Sequence, residues 1–529
     1  MEGLSNNSLR RFLKANTMLG LGAAFGQDMF DKAFANARPN AIPNQPSGTG
    51  AIRPFHVKFS EQDLADLRRR IRSVRWPEQE LVGDASQGVQ LNTMQKVGQY
   101  WAEEYDWRKV EARLNALPQF ITEIDGLDIH FIHVRSKHEN ALPLIVTHGW
   151  PGSIIEQLKI IDPLTNPTAH GGSESDAFDI VIPSLPGYGF SGKPTATGWD
   201  ISHIVRAWVT LMKRLGYTRF VAAGGDVGAQ VVDEFGVQAP PELLGIHSNM
   251  PGTVPADVSR ALTSHEPSPS GLSVYERHAW DQLDFFYKKG LGYAIEMSNR
   301  PQTLYGLMDS PVGLAAWMID HDARSEELIT RAFDGKSEGL TRDDILDNIT
   351  LYWLTKTAVS AARSYWDYSA TAKKGFFDVK GATVPVAVSA FPDEIYTAPA
   401  AGPRKLTPSS FTTTSFPREG TSQPGNSQPS TQKSCVRASN LCATKREGSH
   451  ALSWNQQIEP KGKTHAHDPS SPDNRLNARA VHRRAHRLRA RPLEALWQQL
   501  RRIPECASSE PHSGGRHRRL RRHLGTPAL

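Results

Sequence analysis

Cysteine is nearly missing from this 529-residue chain: the three present, Cys435, Cys442 and Cys506, all lie towards the C-terminus. Residues 1–434 therefore hold neither a disulfide framework nor a cysteine-built metal site. No run of 18 or more apolar residues occurs, which argues against a membrane-spanning helix. Acidic residues are thin in one region. Residues 403–529 hold 8 Asp+Glu against 23 Lys+Arg, a net of +15, so that residues 1–402 carry −9 of the chain's +6 total. A basic tail raises nucleic-acid binding as a reading, but this tail has few aromatics and no recognition motif, and no nucleic-acid partner is expected.

The N-terminal text SLRRFLKANTMLGLGAAFG sets Arg10 and Arg11 before a short apolar stretch, followed by small residues around Ala33 to Ala37. That pattern resembles a bacterial twin-arginine export signal over residues 1–37, and predicts a periplasmic or extracellular protein. The competing reading, a solvated basic helix start, would leave the protein cytoplasmic. Residues 38–51 are rich in Pro, Gly and Asn and read as a linker. From Arg53 to about Asn115 the pattern is helical, with Ser60 as an N-cap.

The periodicity then changes. LDIHFIHVRS alternates, while PLIVTHGW (143–150), FDIVIPSL (178–185), RFVAAGGD and TVPVAVSAF (383–391) are apolar strand-like runs separated by helical segments. Such alternation implies a parallel sheet with helices on both faces, whose chemistry sits beyond the carboxyl ends of the strands. Aromatic-rich helical text from about Pro251 to Lys373 interrupts the rhythm and reads as an insertion able to cap a cleft.

At the end of one strand stands AAGGDVGAQ, residues 222–230. Its Gly224-Gly225-Asp226-Val227-Gly228 has the G-x-nucleophile-x-G form of a sharp strand-to-helix turn, with a carboxylate in the nucleophile's slot. A lone Asp in a Gly-rich turn is more often a helix cap. Here it occurs with HGWPGS (148–153), LPGYGFSGKP (185–194), GYAIEMSNRPQTL (292–304), DSPVGLAAW (309–317) and FPDEI (391–395). Together these resemble the α/β-hydrolase epoxide hydrolases of the microsomal type, from about Ala51 to Tyr396.

The resemblance implies an α/β-hydrolase fold with a helical cap insertion and an N-terminal helical extension. Its segments are the extension at 52–140, core at 141–250, cap at 251–373, core again at 374–398, and an aberrant basic, largely disordered tail at 399–529. It implies that Asp226 attacks the epoxide carbon to form an ester, an exit route that an ether-forming serine would lack. Tyr293 and Tyr365 are expected to donate to the epoxide oxygen, and the N–H groups of Trp150 and Val227 to form the oxyanion hole. Glu394 corresponds to the acid that orients the family's histidine, in competition with adjacent Asp393. His148 and His203 read as structural. The expected partner is a small-molecule epoxide, with no metal and no organic cofactor.

Beyond Tyr396 the pattern stops, and the loop that should carry the catalytic histidine is not found. With one permitted choice of synonymous codons for Arg418 to Asn426, AGG GAG GGC ACT TCG CAG CCT GGG AAC, starting at the third nucleotide gives Gly-Gly-His-Phe-Ala-Ala-Trp-Glu. A frameshift near residues 398–404 is therefore expected, with the lost histidine's codon straddling Gly420 and Thr421 and the final strand lost. His450 and Trp454 in GSHALSWN mimic the lost spacing but lack the family's flanking text. Two alternatives stay open: a haloalkane dehalogenase, disfavoured because Val227 stands where a halide-binding Trp is usual, and a catalytically dead binding protein or pseudogene product.

Overall fold

The computed structural model describes residues 50–395 except 338, 373, 392 and 393, together with 411–415. Arg10, Arg11, the three cysteines, His450, Trp454 and the Gly420–Thr421 junction lie outside the described residues.

Nine strands form one sheet: β1 (Arg53–Pro54), β2 (Gln119–Ile124), β3 (Leu127–Val134), β4 (Leu142–Thr147), β5 (Phe178–Pro183), β6 (Phe220–Gly224), β7 (Leu243–Ser248), β8 (Val386–Ala390) and β9 (Phe411–Ser415), in the order β1-β2-β3-β5-β4-β6-β7-β8-β9. β5 is buried at every position, as a strand covered on both faces must be, and its sequence FDIVIP is accordingly a nearly continuous apolar run.

Two expectations need correction. The sheet is mixed: β1, β2, β3 and β5 pair antiparallel in turn, and the parallel region runs from β5 to β9. The edge hairpin β2–β3 needs only the tight turn at Asp125-Gly126, so no crossover helix announces it in the sequence. A strand also stands at the edge where none was expected. Phe411–Ser415 pairs parallel with β8, in register from Val386↔Phe411 to Ala390↔Ser415. Ladder pairing uses backbone groups, so a β-branched run such as FTTTS can occupy an open sheet edge whatever its lineage.

Among the described residues three α-helices precede β2: α1 (Glu61–Arg72), α2 (Leu91–Glu103) and α3 (Trp107–Asn115). Ser60 caps α1 in a capping box with Asp63, and Leu64, Leu67 and Ile71 form its buried stripe. Three further helices, α4 (Ile154–Thr165), α5 (Ile201–Arg214) and α6 (Val227–Gln238), follow β4, β5 and β6. Between β7 and β8 comes the helical insertion, α7 (Ala256–Thr263), α8 (Val274–Phe285), α9 (Gly292–Asn299), α10 (Gly306–Asp309), α11 (Pro311–Ile319), α12 (Ala323–Phe333), α13 (Arg342–Thr355) and α14 (Ala358–Thr371).

The N-terminal helices brace this insertion. Trp101 Nε1 donates to Thr350 Oγ1 at 2.9 Å, Tyr105 donates its hydroxyl to Asp347 Oδ1 at 2.8 Å, and Arg113 pairs with the same Asp347. Trp101 and Trp107 are each 1% exposed. A buried indole removes roughly 200 Å² from water, on the order of 5 kcal/mol at about 25 cal/mol per Å² before entropy. The extension thereby fixes α13 and the cap built around it.

Candidate active site

The turn from β6 into α6 places Asp226 at φ 53°, ψ −124°, a left-handed backbone unusual for a residue with a side chain. Such a conformation costs about 1–3 kcal/mol and persists only where its surroundings enforce it. Close approach enforces it here. A Cβ on Gly228 would stand 2.0 Å from the Thr147 carbonyl oxygen, and one on Gly149 would stand 2.3 Å from Asp226 Oδ1. Bare backbone at both positions lets the end of β4 and the following loop lie directly against the elbow.

As a result, Trp150 N–H donates to Asp226 Oδ1 at 2.8 Å. The N–H of Val227, at the start of α6, also hydrogen-bonds this carboxylate. Asp226 is 2% exposed. Burial raises its pKa, and although the charge of His321 and the two backbone donors pull the other way, the net displacement is upward. The group is a desolvated carboxylate held by two N–H donors, which suits a nucleophile whose oxyanion must be accommodated after it is esterified.

The insertion brings two phenols above it. Tyr293 in α9 is buried, and its ring meets that of Tyr365 in α14 edge-on, centroids 6.1 Å apart and planes at 74°. Burial pushes the Tyr365 phenol well above its ordinary pKa, with the neighbouring Tyr293 and the charge of Asp226 adding to it. Tyr188, Tyr352 and Tyr368 also feel Asp226. Two of these hydroxyls are committed to the scaffold: Tyr352 donates to Gly152 O at 2.6 Å, and Tyr188 lies 2.8 Å from Ser364 Oγ.

Glu394, 7% exposed, follows β8 and accepts from Asn249 Nδ2 at 2.8 Å through Oε2 and from Ile395 N at 3.1 Å through Oε1. Its competitor Asp393 lies outside the described residues. His148 is fully buried, its pKa lowered to about 4 by that burial, with Nε2 accepting from Leu185 N at 3.1 Å. It is a neutral structural histidine. His203 stacks on Trp199 and bridges Asp125 and Gly198 O, well suited to holding the surface at the start of α5.

Sequence reasoning missed three nearby groups. His321, 3% exposed, lies 3.0 Å through Nε2 from the Tyr293 hydroxyl and 3.1 Å through Nδ1 from Asp322 Oδ2, and both Asp226 and Glu394 act on its charge. Glu156 in α4 is buried, and burial, with the charge of Asp226 adding to it, pushes its carboxyl well above the usual carboxylate range. Asn249 anchors Glu394. Only His321-Asp322 had a visible signal, a His-Asp pair at the boundary between two helical runs.

A separate cavity of about 650 Å³ opens beside the cap, lined by Pro186, Trp199, Pro301, Arg363 and Trp366 among others; Asp226, Tyr293, Tyr365 and Glu394 do not line it. Among the described residues no three His, Cys, Asp or Glu side chains gather as a metal site. Nor is any described helix long and apolar enough to cross a membrane.

Comparison with known proteins agrees with this architecture. The pattern for "Epoxide hydrolase N terminus" matches residues 52–157, and that for "alpha/beta hydrolase fold" matches residues 143–275. A Stigmatella aurantiaca protein named as a candidate epoxide hydrolase is 47% identical over 349 residues, 66% of this chain and 76% of that one. This chain belongs to the epoxide hydrolases. Epoxide hydrolase 1 of Oryctolagus cuniculus is 34% identical over 66% of this chain and 80% of its own. Among solved structures, the juvenile hormone epoxide hydrolase of the silkworm Bombyx mori shares 27% identity with a TM-score of 0.61, over 74% of this chain and 92% of that one. The Aspergillus niger epoxide hydrolase gives 28% and 0.59, over 72% and 92%. The chain thus has the α/β-hydrolase fold of a hydrolase enzyme.

Proposed function

We propose that this protein opens small-molecule epoxides to diols through an ester on Asp226. A carboxylate oxygen of Asp226 bonds to a ring carbon as the carbon–oxygen bond breaks, and the departing alkoxide takes a proton from Tyr293 or Tyr365. Water then adds to the ester carbonyl. The N–H groups of Trp150 and Val227 hold the resulting oxyanion, which collapses to release the diol and the free carboxylate. The observation that carries this reading is a buried carboxylate on a left-handed elbow, hydrogen-bonded by Trp150 N–H at 2.8 Å, whose charge acts on the Tyr365 phenol of the cap.

The second half-reaction needs a base, and we propose that its histidine was lost by a frameshift near residues 398–404, its loop now lying out of frame across Arg418–Asn426. His321 does not replace it, because one ring nitrogen faces Tyr293 and the other Asp322. This chain is therefore expected to capture an epoxide and hold it as an ester. Export through the N-terminal arginine pair is part of the same proposal.

Intact-mass measurement after exposure to styrene oxide tests the reading. One stable adduct is expected on the parent chain and none on Asp226→Ala. Undiminished capture by the alanine variant would sink it. Halide release from a chloroalkane, with no styrene oxide adduct, would favour a dehalogenase instead.

A further inference from the structure

We propose that His321, held by Asp322, is a positioning residue that lets Tyr293 donate its proton only while the imidazole ring is protonated; the proposal rests on the epoxide-opening reading above. The geometry forces a choice. A phenol carries one proton, and the Tyr293 oxygen lies 3.0 Å from His321 Nε2. The other ring nitrogen, Nδ1, faces Asp322 Oδ2 at 3.1 Å and so carries its hydrogen towards that carboxylate. A neutral ring would then present a bare lone pair at Nε2, and the Tyr293 proton would be spent on it. A charged ring instead donates Nε2–H to the phenol oxygen and leaves the phenol proton for a different acceptor.

Asp322 is itself fixed. It caps α12, accepting from Arg324 N at 3.0 Å and Ser325 N at 2.9 Å through Oδ1, and from the Ser325 hydroxyl through Oδ2. The groups that act on His321 are acidic. Asp320 and Asp322 lie on its own segment, Asp226 reaches it from the elbow, and Glu394 from the chain after β8, while Tyr293 is its phenolic neighbour. Glu326, one turn into α12, adds to the field around Asp320 and Asp322. Burial disfavours the imidazolium, but Asp322, Asp226 and Glu394 outweigh it, and the histidine titrates above its ordinary range. The charged form is therefore held below that raised pKa and lost as pH rises through it.

Protons balance across the cycle. Tyr293 gives its proton to the alkoxide, and His321 passes Nε2–H to the phenolate. Forming the ester removes the charge of Asp226, one of the three that hold the proton on His321, so the transfer becomes easier at the moment it is needed. Ester hydrolysis releases one proton and restores the imidazolium.

The rate of adduct formation with styrene oxide, followed by intact mass across pH, tests this in three proteins. The parent should speed up as Asp226 ionises and slow again as His321 deprotonates. Asp322→Asn keeps a good N-cap residue while removing the charge, and should move the falling limb down by about 1–3 pH units. Tyr293→Phe should be slow and lack that limb. If Tyr293→Phe is slow while the parent and Asp322→Asn share one profile, the role of His321 is refuted and the epoxide reading stands. If Tyr293→Phe matches the parent at every pH, the assignment of Tyr293 as donor fails, and this inference with it.

Discussion

Adding one methyl group to Gly228 should disarm Asp226 without touching it. The new Cβ would lie 2.0 Å from the Thr147 carbonyl oxygen, 2.8 Å from its carbon and 3.0 Å from the His148 oxygen. All three neighbours are backbone, so no side-chain rotation relieves the contact. To restore ordinary separation, the elbow and the end of β4 must part by roughly 1 Å, a misplacement that typically costs about 100-fold in a positioned reaction. The 2.8 Å bond from Trp150 N–H to Asp226 would stretch with it. Overpacking of this kind also costs about 1–3 kcal/mol of stability. Gly306→Ala serves as the control, since nothing lies within 4 Å of its added carbon. The assay is the time course of adduct mass under excess styrene oxide, paired with a thermal melt. A Gly228→Ala variant that forms the adduct within about threefold of the parent rate, with an unchanged Tm, would refute the claim that this close approach sets the nucleophile.

Two further outcomes follow from buried charge and from the tail. Burial raises Asp233 to about 7, opposed by the Gly252 N–H at 2.8 Å and by Lys380. Because the folded pKa exceeds the unfolded one, the stability contributed by this group is fully present below pH of about 4 and is lost as pH rises through about 7, by an amount on the order of 4 kcal/mol. Asp233→Asn should therefore melt higher than the parent near pH 8 and alike near pH 4; an equal difference at both would exclude the linkage. Restoring the alternative reading of residues 418–426, with its Gly-Gly-His-Phe-Ala-Ala-Trp-Glu loop and the frame around it, should raise diol release by about 10²- to 10⁴-fold. No gain in diol, with genomic DNA that keeps the present frame, would refute the frameshift.

What could be read in advance depended on how local its cause was. The elbow was legible because its glycines stand together in one short motif, Gly224 packed against the Gly228 backbone, although Gly228 itself is required by Thr147 on β4, and the cap of α1 because Ser60 and Asp63 are three residues apart. The antiparallel edge was not, since QFITEI sits directly after a helical stretch and its partner lies across a two-residue turn. Nor was the strand at Phe411–Ser415, which owes its place to the open edge of β8 rather than to an apolar pattern of its own. His321 marks the limit most clearly. In MIDHDARSEE it reads as a polar helix boundary, and Asp322 as an N-cap, which it is. Only the packing of α9 against the α11–α12 junction puts the ring 3.0 Å from Tyr293 and within the field of Asp226 and Glu394. Three carboxylates separated by up to 168 positions then act on one imidazole. A cap residue thereby becomes an electrostatic partner of the proposed nucleophile, and changes at Asp322 should be felt at Asp226 although the two belong to different layers of the fold.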